Sequence, residues 1–161
     1  VDEFVAAKVQ PFYLKMMGLN ATSADPASLA AVRAAASGVT LEQVLRLLHD
    51  SWRERVMGAW YSLTFPHEQV GDGLAQSMRT SAGSLTAPAL ATACVVLGAS
   101  AAPALRAYIA NAPADGSPGF VSAALEHVGG EPVLRAQQQD RDALSGMLAV
   151  ARVLGEPDPP S

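Results

Sequence analysis

Few residues in this chain carry types and spacings that could do chemistry. His67 and Glu68 follow Phe65-Pro66 and open a helical segment, where a loop could face a cleft. An imidazole beside a carboxylate is a minimal set for general acid–base work. Adjacent helix positions point about 100° apart, however, so the two side chains do not face each other. A glutamate in a first helical turn is also accounted for by the helix dipole. His49-Asp50 precedes a helix start, and Glu126-His127 precedes a helix end, where a histidine answers the dipole. No two histidines stand four residues apart, and no cysteine completes a ligand set, so no metal is expected. Gly71-Asp72-Gly73 opens like a dinucleotide fingerprint, but Gln76 takes the third glycine position and no strand precedes it. Neither a nucleophile elbow nor a phosphate-binding Gly-Lys-Ser/Thr occurs. Cys94 lies in the apolar run Ala93 to Leu97, where a thiol acts as a small buried hydrophobe. These residues imply no cofactor and no catalytic set.

The aromatic and arginine residues between Trp52 and Tyr61 offer a different chemistry. Trp60 follows Trp52 by eight positions and shares its helix face, which points it at the core. Arg53, Arg55 and Tyr61 are expected on the rim of the fold. Arginine and aromatic residues dominate the energetics of protein interfaces. Trp52, Arg53, Arg55, Tyr61, His67 and Glu68 are therefore the candidate binding residues. Core anchors flanked by solvated charges are the alternative reading of the same segment.

The elements that must position these residues are well punctuated. Phe4, Val5, Val9, Phe12 and Met16 recur at helical spacing over residues 2–17. Pro11 either kinks that helix or separates two short ones meeting at Gln10. Asp25-Pro26 starts the next helix, which ends at Gly38. Thr40 to Gln43 forms a capping box with Val39 and Val44 as its staple, and Ser51 to Glu54 reads as a second box. His67 to Arg79 is a weaker helix carrying Gly71 and Gly73. Ala87 to Leu97 is apolar on every face and belongs at the centre. Ser100 is expected to cap the helix Ala101 to Ala110, Ser117-Pro118 to start another, Pro132 a short one and Asp140 the last. No strand is expected. Residues 1–155 read as one all-α domain and 156–161 as a disordered tail.

Composition narrows the class. The 161 residues are 50% hydrophobic, with an excess that is mostly alanine rather than aromatic or β-branched residues, which favours helices. The net charge is −4 and the arginines are scattered, so no nucleic-acid surface is expected. The single cysteine permits no internal disulfide, and Val1 to Phe4 is acidic where a secretory leader is basic, so a cytoplasmic location is expected. Leu85 to Leu105 is apolar but broken by Pro88, Gly98 and Pro103, so it reads as core rather than membrane span.

Pro103-Ala104-Leu105-Arg106-Ala107 recurs as Pro132-Val133-Leu134-Arg135-Ala136, each after a helix end and a glycine, at a period of about 30 residues. This turn pattern resembles degenerate HEAT-like repeats. Trp52 to Trp60, the alanine-rich helix and Leu105 to Ile109 also resemble a family of uncharacterised bacterial proteins common in actinomycetes. The resemblance covers roughly residues 8–135 and implies a HEAT-like helical fold with no known activity. The expected fold is thus a short right-handed α-solenoid-like stack of helix pairs, about eight or nine helices in all. The expected function is a non-enzymatic interaction module, adaptor or immunity-type, for an unknown protein partner. The alternatives are a small enzyme or ligand-binding protein with a pocket near His67 and Glu68, and a structural self-associating domain. A monomer or a homodimer is expected.

Overall fold

The computed structural model describes residues 2–81 and 83–156. Among them the secondary structure is entirely helical, with ten α-helices and two 3-10 turns. They are α1 (Glu3–Lys8), α2 (Tyr13–Met16), α3 (Pro26–Ala36), α4 (Leu41–Leu48), α5 (Trp52–Ser62), α6 (His67–Thr80), α7 (Ala87–Leu97), α8 (Ala102–Ala110), α9 (Pro118–His127) and α10 (Gln138–Gly155). The 3-10 turns are Asn20–Ser23 and Ala99–Ala101. No helix among the described residues is long and apolar enough to cross a membrane.

Capping chemistry sets several of the boundaries. The Asp25 carboxylate accepts the Ser28 amide at 2.7 Å, and Pro26 occupies the first turn of α3. Thr40 forms its box with Gln43 in full: Thr40 Oγ1 accepts the Gln43 amide at 3.2 Å, and Gln43 Oε1 accepts the Thr40 amide at 2.9 Å. The second expected box does not form. The Ser51 side chain caps nothing, and its amide is instead taken by Asp50 Oδ1 at 2.8 Å. α10 begins two residues before Asp140, whose carboxylate reaches back to the Gln137 amide at 3.0 Å.

Pro11 separates two short helices rather than kinking one, because it offers no amide to continue the ladder. Pro132 starts no helix. Residues 129–137 are irregular, with Val133 and Leu134 exposed, while the matching Pro103 to Ala107 lies inside α8. The recurrent motif therefore occupies two different structures. Ser100 falls within a 3-10 turn instead of capping α8. Within the expected tail Glu156 is exposed, and residues 157–161 lie outside the described residues.

Helix α7 occupies the centre. Ala87 to Val95 are all buried, and the helix packs against α5, α6, α9 and α10. Small side chains explain the crowding: alanines at Ala87, Ala89, Ala91 and Ala93 let neighbouring axes approach closely. Consecutive helices do pair, as α4 with α5, α6 with α7 and α8 with α9. The last helix, however, returns to α3 and to the 3-10 turn at Asn20–Ser23. That return closes the chain around α7, where a solenoid would leave each pair touching only its neighbours.

Helix α5 is buried from Val56 to Ser62 on every side, more than the single stripe its sequence suggests. Gly58 makes this possible, since a Cβ there would sit 3.0 Å from Leu47 Cβ and 3.2 Å from the Leu48 amide nitrogen. Trp60 donates its indole N–H to the Met16 carbonyl at 3.1 Å, and the Tyr61 hydroxyl donates to the Lys8 carbonyl. These two bonds tie α5 to both N-terminal helices and place the start of α5 beside Tyr13.

Candidate functional site

Trp52 opens α5 and Tyr13 opens the single turn of α2. Their rings meet edge to face, with centroids 5.7 Å apart and planes at 84°. The Arg53 guanidinium lies over both, 4.7 Å from the Trp52 ring centroid and 5.2 Å from that of Tyr13. A cation over an aromatic face is held by the ring quadrupole, worth about 0.5–1 kcal/mol at an exposed site. Arg53 is exposed and makes no hydrogen bond or ion pair among the described residues. Its N–H donors thus face solvent from a position that two rings restrain. Leu14, the next residue after Tyr13, is 58% exposed. Trp52 and Arg53 were both legible as candidates; Tyr13 was not, and its only signal is an aromatic residue just past the Pro11 break.

Other candidates fall elsewhere. Arg55 is not a rim residue free to bind. Its Nε donates to the Asp50 carbonyl at 2.7 Å, and its Nη1 donates to Thr80 Oγ1 at 2.8 Å and the Ser77 carbonyl at 3.3 Å. It fastens the end of α6 to the start of α5, and partial burial pulls its guanidinium below the usual arginine range. Tyr61, expected on the rim, is completely buried, and burial pushes its hydroxyl above the ordinary tyrosine range. Tyr61 points about 100° away from Trp60, and it too is buried because α5 is covered all round from Val56 to Ser62.

His67 and Glu68 are exposed at the start of α6, and neither makes a hydrogen bond or ion pair among the described residues. They are not brought together with each other as an acid–base pair. They do line an open groove of about 720 Å³ with Asp72, Arg79, Leu97 and Ser100. His67 also borders a second groove of about 610 Å³, whose floor includes Leu63, Val96 and Leu148 and whose edge holds His127 and Arg152. Concavity is present here, but no donor or carboxylate is oriented by a neighbour, which is what acid–base work requires. No group of three or more His, Cys, Asp or Glu side chains among the described residues could hold a metal ion.

Besides the polar ends of Trp60, Tyr61 and Tyr108, the buried polar side chains among the described residues are Ser62, Ser77, Ser81, Thr86, Thr92 and Ser122. The Cys94 thiol is fully buried and pushed up to about 12 by desolvation. The interior thus holds its nucleophile protonated, with no base beside it. Compared with protein-family models, with curated proteins and with solved structures, the chain matches none.

Proposed function

We propose that this chain is a non-enzymatic binding module that docks a protein partner on the surface formed by Tyr13, Trp52 and Arg53. One observation carries the reading. Arg53 is held over two aromatic rings at the surface while its hydrogen-bonding capacity goes unused among the described residues. Tyrosine, tryptophan and arginine are the residues that most often anchor interfaces, because they combine large contact area with directional donors. Restraint by the rings lowers the ordering cost that a free arginine would meet on binding. The exposed Leu14, next to Tyr13 in the chain, supports the same reading. An adaptor or immunity-type role fits such a module.

The test is comparative capture from the source cells on immobilised chain. Wild type, the Trp52→Ala/Arg53→Ala double variant and His67→Ala are used side by side, and retained proteins are identified by mass spectrometry. A partner retained by wild type and His67→Ala but lost by the double variant supports the proposal. A protein lost by His67→Ala and kept by the double variant overturns it and moves the site to the grooves beside α6.

A further inference from the structure

We infer that the partner meets Arg53 with a side-chain carboxylate, so that the occupant of this surface is an acidic protein segment presenting an Asp or Glu beside an apolar residue. The inference rests on the proposed docking surface and adds the chemistry of what docks there.

The arginines of this chain differ in what they hold. Arg46 is paired with Asp2, and Arg141 grips Glu126 through two bonds of 2.8 and 3.1 Å. Arg55 is spent on three acceptors of its own chain, and Arg33 donates to the Glu156 carbonyl at 2.7 Å. Arg53 makes no hydrogen bond or ion pair among the described residues, as is true of Arg79, Arg106, Arg135 and Arg152; the two rings beside it set it apart. The chain carries 15 acidic residues against 11 basic ones, so carboxylates are in excess, yet none among the described residues makes an ion pair with Arg53. A guanidinium held against aromatic rings spends no N–H donor on an oxygen acceptor, and its paired donors fit the two oxygens of a carboxylate in a fork.

Charge decides between anions. A phosphate carries close to two negative charges and is recognised by clusters of arginines. Here the other cations nearby in the chain are engaged: Lys15 Nζ donates to Ser28 Oγ at 3.0 Å, Arg46 is paired with Asp2, and Arg55 is turned inward. One guanidinium fork with no acceptor among the described residues matches one carboxylate. It is too little for a nucleic-acid backbone, whose binding grows with the number of phosphates neutralised. The Tyr13 and Trp52 rings give the same segment an apolar footing next to the charge.

The experiment uses the full chain and a random twelve-residue peptide display library. Enriched peptides are synthesised and titrated by fluorescence polarisation against wild type, Arg53→Gln, Arg53→Lys and Trp52→Ala. The expected peptides share one Asp or Glu next to an apolar residue. Arg53→Gln weakens them about tenfold or more, and Arg53→Lys restores only part, because an ammonium cannot form the fork. Changing the peptide's acid to its amide weakens binding to wild type by the same factor and leaves binding to Arg53→Gln unchanged. The inference is overturned if the acid-to-amide change weakens both proteins equally, if a phosphoserine in place of the acid binds tighter, or if no Arg53-dependent peptide is enriched. Peptides that lose Trp52→Ala without any acid dependence leave the docking surface standing and remove the carboxylate. Peptides that bind every variant as they bind wild type remove both. Circular dichroism of Trp52→Ala confirms that it folds, and Arg53→Gln, at an exposed position, carries the decision alone if it does not.

Discussion

Two glycines, each replaced by alanine, should move stability in opposite directions. Gly71 lies within α6, and a Cβ built there meets nothing within 4 Å. Alanine restores helix propensity and narrows the unfolded ensemble, so Gly71→Ala should stabilise by about 0.8–1 kcal/mol. Gly58 gains the same propensity, but its new Cβ would stand 3.0 Å from Leu47 Cβ and 3.2 Å from the Leu48 backbone nitrogen. Neither is the loose end of a side chain, so α4 and α5 must separate. Overpacking of this kind costs about 1–3 kcal/mol, and backbone contact puts it at the upper end. The net for Gly58→Ala is a loss of about 1–2 kcal/mol. For a domain of this size each kcal/mol moves the melting temperature by about 2–4 °C. Urea titration followed by tryptophan fluorescence and by circular dichroism, with thermal melts alongside, gives both numbers. If Gly58→Ala is as stable as wild type, or if both variants shift the same way, the close packing of α4 on α5 described here is wrong.

Three further outcomes follow from the caps, the ion pairs and the thiol. Thr40→Ala should destabilise by about 1 kcal/mol in the same titration, whereas Ser51→Ala should be close to neutral, since only Thr40 caps its helix. The carboxyls of Asp2, Asp25 and Glu126 are held below their ordinary values by Arg46, by the Ser28 amide and hydroxyl, and by Arg141 respectively. A depressed folded-state value gives stability that is present above the ordinary value and is lost as pH falls through the folded one. Denaturation midpoints should therefore be insensitive to these groups above the ordinary glutamate value of 4.5 and fall below it. Asp2→Asn/Glu126→Gln should flatten the fall. Cys94 should resist a thiol reagent in native buffer and react at once in 6 M guanidinium, as a desolvated thiol predicts.

Local punctuation was the most legible layer of the fold. Asp25-Pro26, Thr40 with Gln43, and Gly98 act through bonds or dihedrals within a few residues, so the sequence alone displays their cause. Helix α7 was legible for a related reason, since a helix with no polar face has no place but the interior. What the sequence did not display depends on partners distant in the chain. Tyr61 is buried because Lys8 supplies its acceptor from 53 residues away. Ser51 makes no cap, and its amide and hydroxyl both donate to Asp50 Oδ1, at 2.8 and 3.5 Å. The Pro-x-Leu-Arg-Ala recurrence suggested a repeating unit; Gly98 and Gly129 both follow a helix end at positive φ, 88° and 78°, yet only the first copy goes on into a helix. The candidate site was half legible. Trp52 and Arg53 announced themselves by type, while Tyr13 reaches them only through the packing of α2 on α5.

The return of α10 to α3 and the first 3-10 turn has a consequence for cooperativity. In an open stack the end units can fray while the middle holds, and protection of backbone amides declines toward both ends. Here the covers of α7 come from both halves of the chain, α5 and α6 on one side and α9 and α10 on the other. Removing any one cover exposes a helix with no polar face to offer water. The amides of α7 should therefore exchange with solvent deuterium only when the whole domain opens, at a rate that reports its global stability. The same closure means that no helix pair can be cut away as a self-sufficient unit, so the domain folds and fails as one.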